Sequence, residues 1–522
     1  MSSARIIVRN LTANWTGHVV NLVVMFFLSP FVVHTLGEVE YGIWSLLTLL
    51  TGYMGILDLG IRASTGRHII LYLGRGEHDK VDQTIRTSLG IFSVIGFGIV
   101  VVGVVLGWLF PRFFSSVPAE YHTMVKLLLP LLAANVWISM VRVLFSSVLA
   151  AHERFDISNG LDLIMLALRT VGTIWALKWG MGIIGLSVVV VASNLAGLLG
   201  NQFLARRIYS RLRVWPLLFS KARLYELYSY GIFAFISAVS AKVIGQTDFF
   251  IAGAVVSVAS VTVYSVGAML SFYTHSFIGL IGNTFFPPVQ RAVARNEMGS
   301  ARWLFFRQVR LALIFGLPLY AGYCFFAEPF MKLWMFDPVK FPMESVHQAA
   351  LVLIILAASN LPALMDIGAQ GLLAAMGHVR LTATLSIVEA MMNLGLSLFF
   401  VLILDWKLAG IAAGTLVSRI LMRFFVLLGF TFQKTGIKWK TFVWEILARA
   451  VGVFVFFAGL CLLIRWLFPI TSWGWFFLQI ILVLTVYFPG AFWILVPQSD
   501  RQRVYAKGKE LFLRRWRCKR LV

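Results

Sequence analysis

The stretch LFSSVLAAHERFDISNGLDLIMLALRTVGTIWAL (144–177) returns in weaker form later in the chain, as DIGAQGLLAAMGHVRLTATLSIVEAMMNLGLSLFF (366–400). The two stretches align at an offset of 224 residues, which places Leu149-Ala150-Ala151 on Leu373-Ala374-Ala375. Further along, GIIGL (182–186) corresponds to LAGIA (408–412). Each similarity is weak, but their order and spacing agree. The chain therefore contains an internal duplication.

The composition is that of a membrane protein. Apolar residues make up 59% of the 522 residues and charged residues only 13%, and the mean hydropathy is +0.85. A soluble surface does not tolerate this balance. Apolar stretches of about 20 residues, the length of a membrane-spanning helix, recur about 14 times. These predicted spans lie at 11–36, 40–61, 86–110, 124–150, 159–179, 182–205, 227–250, 255–280, 305–330, 346–375, 381–404, 408–432, 441–468 and 472–497.

The net charge of +23 follows the connections between the spans. Lys and Arg concentrate before span 1, in the even-numbered connections and in the C-terminal tail. By the positive-inside rule both termini are cytoplasmic. The excess charge thus reflects membrane topology, and we expect no nucleic-acid partner. A tail as basic as 498–522 is expected to contact anionic lipid headgroups.

Six spans per repeat is an even number, so both repeats enter the membrane with the same orientation. We predict an all-α polytopic membrane protein in which two parallel six-helix repeats face a central cavity, with two extra C-terminal helices. The predicted divisions are an N-terminal lobe (1–218), a C-terminal lobe (219–436), transmembrane helices 13 and 14 (437–497) and a basic cytoplasmic tail (498–522).

Charged residues lie inside several predicted spans, where each costs about 2.5 to 3.5 kcal/mol at a bilayer centre. SAKVIGQTDFF (240–250), for example, carries a lysine and an aspartate within an apolar run. A single such residue is often only a hydrogen-bonding group between helices. Five cations on four spans instead favour a wet cavity that binds an anion. These candidate substrate-binding residues are Arg142, Arg169, Lys242, Arg419 and Arg423.

Uncharged polar residues at helical spacing accompany these cations and are predicted to line the same cavity. They are His18, Asn21, Asn135, Ser139 and Asn393. No GxxxxGK[ST] motif and no metal-ligand spacing occurs in the sequence, so we expect neither a built-in ATPase nor a cofactor or metal site.

The chain resembles the polysaccharide transporter family, the O-antigen and exopolysaccharide flippases of the multidrug/oligosaccharidyl-lipid/polysaccharide exporter superfamily. Three stretches carry most of the likeness: HTLGEVEYGIWSLLTLLTGYMGILDLGI (34–61), TDFFIAGAVVSVASVTVYSVG (247–267) and GLLAAMGHVRLTATLSIVEAMMNLGLSL (371–398).

The resemblance implies a flippase of the bacterial inner membrane. Such a protein moves an undecaprenyl-pyrophosphate-linked oligosaccharide from the cytoplasmic to the periplasmic leaflet by alternating access. It also implies that Arg142, Lys242 and Asp366 occupy places that matter in these flippases, and that spans 13 and 14 form a groove for the lipid tail. Coupling to a proton or sodium gradient is common in the superfamily. The candidate carboxylates here are Asp58, Asp162, Asp366 and Glu389, and glycan polymerases or glycosyltransferases are the expected protein partners.

Other readings stay open. A multidrug or organic-cation antiporter shares the fold, but it would be expected to line its cavity with carboxylates and aromatic residues. A membrane enzyme of glycan assembly would need larger external loops than the short connections seen here, so we expect a non-enzyme. The sequence also allows a non-transporting scaffold for glycan machinery.

Overall fold

The computed structural model describes residues 3–152, 154–212, 215, 219–498 and 500–502. The described chain is built from α-helices. The first eight are α1 (Ser3–Met54), α2 (Ile61–Gly74), α3 (His78–Phe113), α4 (His122–Ala151), α5 (Phe155–Lys178), α6 (Gly182–Ile208), α7 (Lys221–Ile251) and α8 (Val258–Ala294). The remaining helices are α9 (Met298–Met335), α10 (Met343–Asn360), α11 (Ala363–Ala375), α12 (Val379–Leu402), α13 (Lys407–Arg419), α14 (Leu428–Thr435), α15 (Trp439–Phe442), α16 (Ala448–Leu467) and α17 (Trp473–Leu495). Two π-helical segments, Ile420–Leu427 and Val443–Leu447, continue α13 into α14 and α15 into α16.

Among the described residues, eleven helices are long and apolar enough to cross a membrane. The first of them, Val19–Asp58, overlaps both predicted span 1 (11–36) and predicted span 2 (40–61). Predicted spans 7 and 8 coincide with α7 and α8, which are not among the eleven. Helix is therefore present at every predicted span, and the expectation of an all-α, multi-pass membrane protein is confirmed.

A glycine separates the first two predicted spans. Gly37 lies in the left-handed region, with φ 79°, and breaks α1. Glycine adopts this conformation without steric cost. A second glycine nearby, Gly42, permits close packing, because a Cβ atom there would lie 2.1 Å from the carbonyl oxygen of Val258.

Predicted span 10 (346–375) is not one continuous helix. The structure divides it into α10 and α11 at Leu361 and Pro362. Proline lacks a backbone N–H and disfavours helical conformation in the residue before it, which explains the break. Asn360 is the last residue of α10 and Asp366 lies in the first turn of α11, so the break separates these two polar residues.

The chain forms two compact units. The first unit comprises Met1–Ser265 and Met335–Ser345, and the second comprises Val266–Trp334 and Val346–Val522. The boundary between them falls within α8, whereas the sequence repeat predicts lobes of 1–218 and 219–436. Those lobe boundaries stay a prediction, and the predicted tail lies outside the described residues from 503 onward.

In the first unit, α4 is the central helix and packs against α3 and α6. Small residues allow the close α3–α4 contact, since a Cβ atom on Gly103 would come within 2.7 Å of the Cβ atom of Ala133. In the second unit, the buried core joins α9, α14, α16 and α17, with Phe305, Phe432 and Phe457 among its members. The last two membrane helices are thus part of the second unit's core.

Two prolines in α9 explain how α16 and α17 attach to it. Pro318 cannot donate a hydrogen bond to the carbonyl oxygen of Ile314, four residues earlier. Tyr487 of α17 supplies that donor: its hydroxyl lies 3.3 Å from the Ile314 oxygen. A backbone carbonyl without a donor is costly inside a membrane, so this contact fixes the position of α17.

The second proline repeats the arrangement. Pro329 leaves the carbonyl oxygen of Phe325 without its helical donor. The Nη1 atom of Arg465, in α16, lies 2.5 Å from that oxygen. Each proline of the pair is therefore matched to a polar side chain of one of the two C-terminal helices.

Replacing Tyr487 by Phe is expected to lower the stability of the purified protein by about 1 kcal/mol, a typical value for a hydrogen bond between membrane helices. In a Pro318→Ala background the same replacement should cost less, because the alanine introduced there has a backbone N–H that can donate to the Ile314 oxygen. Thermal unfolding in detergent measures both effects, with Tyr225→Phe as an exposed control. Equal losses in the two backgrounds would contradict this role for Tyr487.

Candidate functional site

Lys242 lies in a polar cluster of the first unit. A Cβ atom added to Gly52 would stand 3.3 Å from the Lys242 Nζ atom and 3.1 Å from the Oε1 atom of Gln246. Gly52 therefore leaves room for both side chains. The positive charge of Arg62 also acts on Lys242. Among the described residues, Lys242 has no carboxylate partner.

Arg62 contacts the segment just before it in the chain, Gly55–Asp58. Its Nε atom pairs with the buried carboxylate of Asp58, and its Nη2 atom donates to the carbonyl oxygen of Gly55 at 2.7 Å. The other oxygen of Asp58 accepts from the backbone N–H of Gly60 at 3.0 Å. Asp58, one of the predicted coupling carboxylates, is thus held in an ion pair.

Arg142 and Asp162 also form an ion pair, which joins α4 to α5. Gly197 of α6 makes room for the arginine, since a Cβ atom there would lie 2.9 Å from the Arg142 Cζ atom. Two turns away on α4, the Oδ1 atom of Asn135 accepts a hydrogen bond of 2.9 Å from Asn194 of α6. These groups connect three helices of the first unit.

The other predicted residues of the first unit are more isolated. Arg169 is exposed on α5, and no carboxylate pairs with it in the part of the chain that the structure describes. The Ser139 hydroxyl donates to the carbonyl oxygen of Val136, in its own helix, at 2.6 Å. Asn21 is half-buried. The side chain of His18 lies outside the described residues.

The second unit contains a buried ion-pair network around Arg423, which lies in the π-helical segment after α13. Its Nε atom is 2.9 and 3.0 Å from the two carboxylate oxygens of Glu389, in α12. Its Nη1 atom is 3.2 Å from the Oδ2 atom of Asp366, in α11. The Asp366 and Glu389 side chains are only 2% and 4% exposed.

Arg419 lies at the edge of this network. Its Nη1 atom donates to the Oδ1 atom of Asn360 at 2.6 Å, and its Nε atom lies 4.0 Å from Glu389. Two arginines and two carboxylates therefore neutralise one another. Arg419 and Arg423 are one helical turn apart, and the repulsion between their like charges is offset by Asp366 and Glu389.

One hydrogen bond occurs at the same place in both repeats. Asn135 and Asn194 are 59 residues apart, and so are Asn360 and Arg419. Both bonds join a helix to the one two spans later. An offset of 225 residues, one more than that of the quoted stretches, aligns both Asn194 with Arg419 and Asn135 with Asn360. The repeat inferred from sequence thus recurs in the polar contacts of the two units.

A cavity of about 380 Å³ opens beside the network in the second unit. Its polar lining residues are His275, Asn283, Tyr320, Asn360, Asp366, Gln370 and Arg423. Asn393 is not among the lining residues: it is buried and donates to the Thr415 hydroxyl at 2.7 Å, between α12 and α13. No group of three or more His, Cys, Asp or Glu that could hold a metal occurs in the described ranges.

The structure shows which of the predicted charged residues form ion pairs with one another, and the sequence does not. Each of the four predicted coupling carboxylates is paired with an arginine. Two of the five predicted cations, Arg142 and Arg423, are engaged in these pairs, and Arg62 forms the remaining one. Of the five predicted cations, Lys242 and Arg169 are the ones left without a carboxylate neighbour among the described residues. Both of these positive charges without a carboxylate neighbour lie in the first unit.

Sequence reasoning missed several residues of these clusters. Arg62 falls just after predicted span 2 (40–61), in one of the basic connections, although its spacing of four residues from Asp58 is that of an ion pair on one helix face. His275, Asn283 and Gln370 carry no fixed charge, so single-sequence reasoning has little basis for choosing them.

Arg423→Ala is expected to destabilise the protein by about 3 to 5 kcal/mol, because it leaves the buried Asp366 without its cation and Glu389 with only Arg419, at 4.0 Å. Arg142→Ala should cost less than Arg423→Ala, because its partner Asp162 is 55% exposed, whereas the partners of Arg423 are 2% and 4% exposed. Thermal unfolding in detergent compares the two. Adding Asp366→Asn and Glu389→Gln to Arg423→Ala should recover stability, and a failure to do so would argue against the ion pairs as the cause.

Two curated relatives match parts of the chain. The "Putative O-antigen transporter" of Shigella flexneri is 26% identical over 157 residues, which is 29% of this chain and 36% of the relative. The "Uncharacterized membrane protein EpsK" of Bacillus subtilis (strain 168) is 20% identical over 355 residues, 66% of this chain and 68% of the relative. The chain thus spans about a third of the first relative's length and two thirds of the second's.

Two solved structures share the fold. One is an inward-facing multidrug resistance MATE family transporter of the MOP superfamily, with a TM-score of 0.69 and 14% identity, covering 80% of this chain and 98% of that one. The other is the lipid II flippase MurJ in an inward closed conformation, with a TM-score of 0.63 and 13% identity, covering 92% of this chain and 100% of that one. At these identities, the two likenesses show the shared fold.

The family model described as "Lipid II flippase MurJ" matches residues 72–484, which is most of the chain. This family match points to a transporter of the lipid-linked flippase type rather than to an enzyme. The protein belongs to the lipid II flippase MurJ family, within the MOP superfamily.

Proposed function

We propose that this protein is a flippase for an undecaprenyl-pyrophosphate-linked oligosaccharide, the repeat unit of an O-antigen or exopolysaccharide. The cargo moves from the cytoplasmic to the periplasmic leaflet of the bacterial inner membrane by alternating access. The family match and the names of the O-antigen and EpsK relatives support this proposal. The observation in the structure that carries it is the uncompensated charge of Lys242.

A pyrophosphate cannot cross hydrocarbon without a compensating charge, because the desolvation penalty of an ion is large. Lys242 offers three ammonium donors, and Arg62 adds to the positive potential at the same place. Gln246 supplies a neutral polar neighbour. A single uncompensated lysine binds an anion without trapping it, as a carrier that must release its cargo requires.

The family description favours a second cargo, lipid II itself. Lipid II and the lipid-linked repeat units share a lipid, a pyrophosphate and a sugar chain. They differ in what the sugar carries. Lys242 would serve either cargo, so flipping must be measured with both in parallel.

Lys242→Ala is expected to slow the flipping of a lipid-pyrophosphate-oligosaccharide in proteoliposomes by tenfold or more, since a hydrogen bond to a charged group contributes about 1.5 to 3 kcal/mol. Lys242→Arg should retain most activity. Lys178→Ala, which removes an exposed lysine at the end of α5, serves as the control at matched insertion. Wild-type rates in Lys242→Ala would refute the role of this charge, and no flipping by the wild type would refute the proposed function.

We also propose that an ion gradient drives transport through the second unit. A proton that binds Asp366 or Glu389 would cancel one partner of Arg423 and weaken the network that joins α11, α12 and the π-helical segment. Asp366 is the better candidate, because it lines the cavity directly. Ion movement would then be linked to a change in how these helices are held together.

Asp366→Asn, which mimics the protonated carboxyl group, is expected to make flipping insensitive to a pH gradient, whereas wild-type flipping should accelerate when a gradient is imposed. Fluorescent-lipid flipping in proteoliposomes with imposed proton or sodium gradients measures this. Acceleration of the wild type by sodium alone would contradict the proton scheme. An unchanged response of Asp366→Asn to the pH gradient would exclude this carboxylate.

A further inference from the structure

The cavity of the second unit is polar but carries no net charge of its own. Arg423 is the basic residue with a fixed charge that lines it, and Asp366 is the acidic one. Arg423 is engaged by both Asp366 and Glu389 at 2.9 to 3.2 Å. An anion that approached Arg423 would have to displace one of these carboxylates. The cavity is therefore poorly suited to a pyrophosphate.

Its open hydrogen-bonding groups are neutral. His275 and Asn283 of α8 are exposed and make no hydrogen bond to other described residues. Gln370 of α11 is also exposed and has one long contact, 3.4 Å from its Nε2 atom to Asp366. Its amide oxygen is free to accept. These side chains offer donors and acceptors side by side.

The helix faces around these groups leave space for a ligand. Gly279 and Gly282 lie on the same side of α8 as His275 and Asn283, and all four line the cavity. A Cβ atom on Gly279 would meet no other atom within 4 Å. Phe286 adds an apolar surface one turn further along the helix. The cavity thus combines small residues with amide, imidazole and aromatic groups.

A buried hydroxyl group in the same wall lacks a partner. Tyr320 is 1% exposed, and its Oη atom has no hydrogen-bond partner among the described residues. An unsatisfied buried polar group costs free energy. A ligand that brings hydroxyl groups into the cavity can relieve that cost, whereas an apolar ligand cannot.

We propose that this cavity is a subsite for an uncharged sugar residue, a hexose or N-acetylhexosamine, with Asn283 and Gln370 as its specificity-determining contacts. Sugar hydroxyls act as both donor and acceptor, which the side-chain amides match, and the apolar face of a sugar ring packs on Phe286. The volume of about 380 Å³ lies in the range of small-ligand sites. This inference rests on the proposed function, because the sugar belongs to the lipid-linked cargo.

The test measures binding of methyl glycosides to the purified full-length protein by saturation-transfer NMR and by competition. The probes are methyl glucoside, methyl galactoside, methyl N-acetylglucosaminide and the anionic methyl glucuronide. We expect at least one neutral glycoside to bind the wild type and to lose tenfold or more in affinity in Asn283→Ala and in Gln370→Ala. Thr284→Ala is the matched control, because Thr284 neighbours Asn283 on α8 but bonds to its own helix, at the carbonyl oxygen of Leu280.

Three results would overturn the inference. The first is unchanged binding of the neutral glycosides in both Asn283→Ala and Gln370→Ala. The second is no binding to a wild type that does flip lipid-linked cargo. The third is a glucuronide that binds tenfold more tightly than the glucoside, because Arg423 would then act as a free cation. Wild-type flipping is measured on the same preparation. Glycoside binding without flipping would refute the proposed function but not the binding of a sugar in this cavity.

Discussion

A polar group surrounded by hydrocarbon needs a partner from the protein, and the contacts of Arg423 show what this requirement imposes. The guanidinium group is held by Asp366 and Glu389, and this fixes α11, α12 and the π-helical segment relative to one another. The same requirement places Tyr487 opposite the carbonyl oxygen that Pro318 leaves free. Packing of apolar side chains, closest where small residues such as Gly103 and Ala133 let two helices approach, adds van der Waals contact between them. Polar contacts and close packing together therefore hold the helices of each unit in place.

Pairing also determines which charges remain available for binding. In the second unit, two arginines and two carboxylates cancel, and the adjoining cavity offers neutral hydrogen-bonding groups. In the first unit, Asp58 and Asp162 neutralise Arg62 and Arg142 but leave Lys242 without a carboxylate among the described residues. The equal spacing of the Asn135–Asn194 and Asn360–Arg419 contacts agrees with the repeat inferred from sequence. Around this shared contact the two units present different chemistry, which suits a cargo with both anionic and sugar parts.

The sequence alone predicts the helical spans and the repeat, because both depend on the periodicity of apolar residues and on self-similarity. It also places most charged residues within the right helices. It does not predict which of them pair, since pairing depends on helix rotation and on breaks such as the one at Pro362. Five intramembrane cations therefore look like one cationic surface in the sequence, whereas the structure pairs Arg142 and Arg423 with carboxylates. Asn283 and Gln370 are not predicted, because the sequence does not distinguish a neutral polar residue that binds a ligand from one that only bonds to a neighbouring helix.

The division of charge between Lys242 and the Arg423 network can be tested most directly by a cryo-electron microscopy map of the protein bound to a lipid-pyrophosphate-oligosaccharide. We expect pyrophosphate density within hydrogen-bonding distance of Lys242, with Arg423 still bound to Asp366 and Glu389. Pyrophosphate density on Arg423 or Arg419, with the two carboxylates displaced, would contradict it.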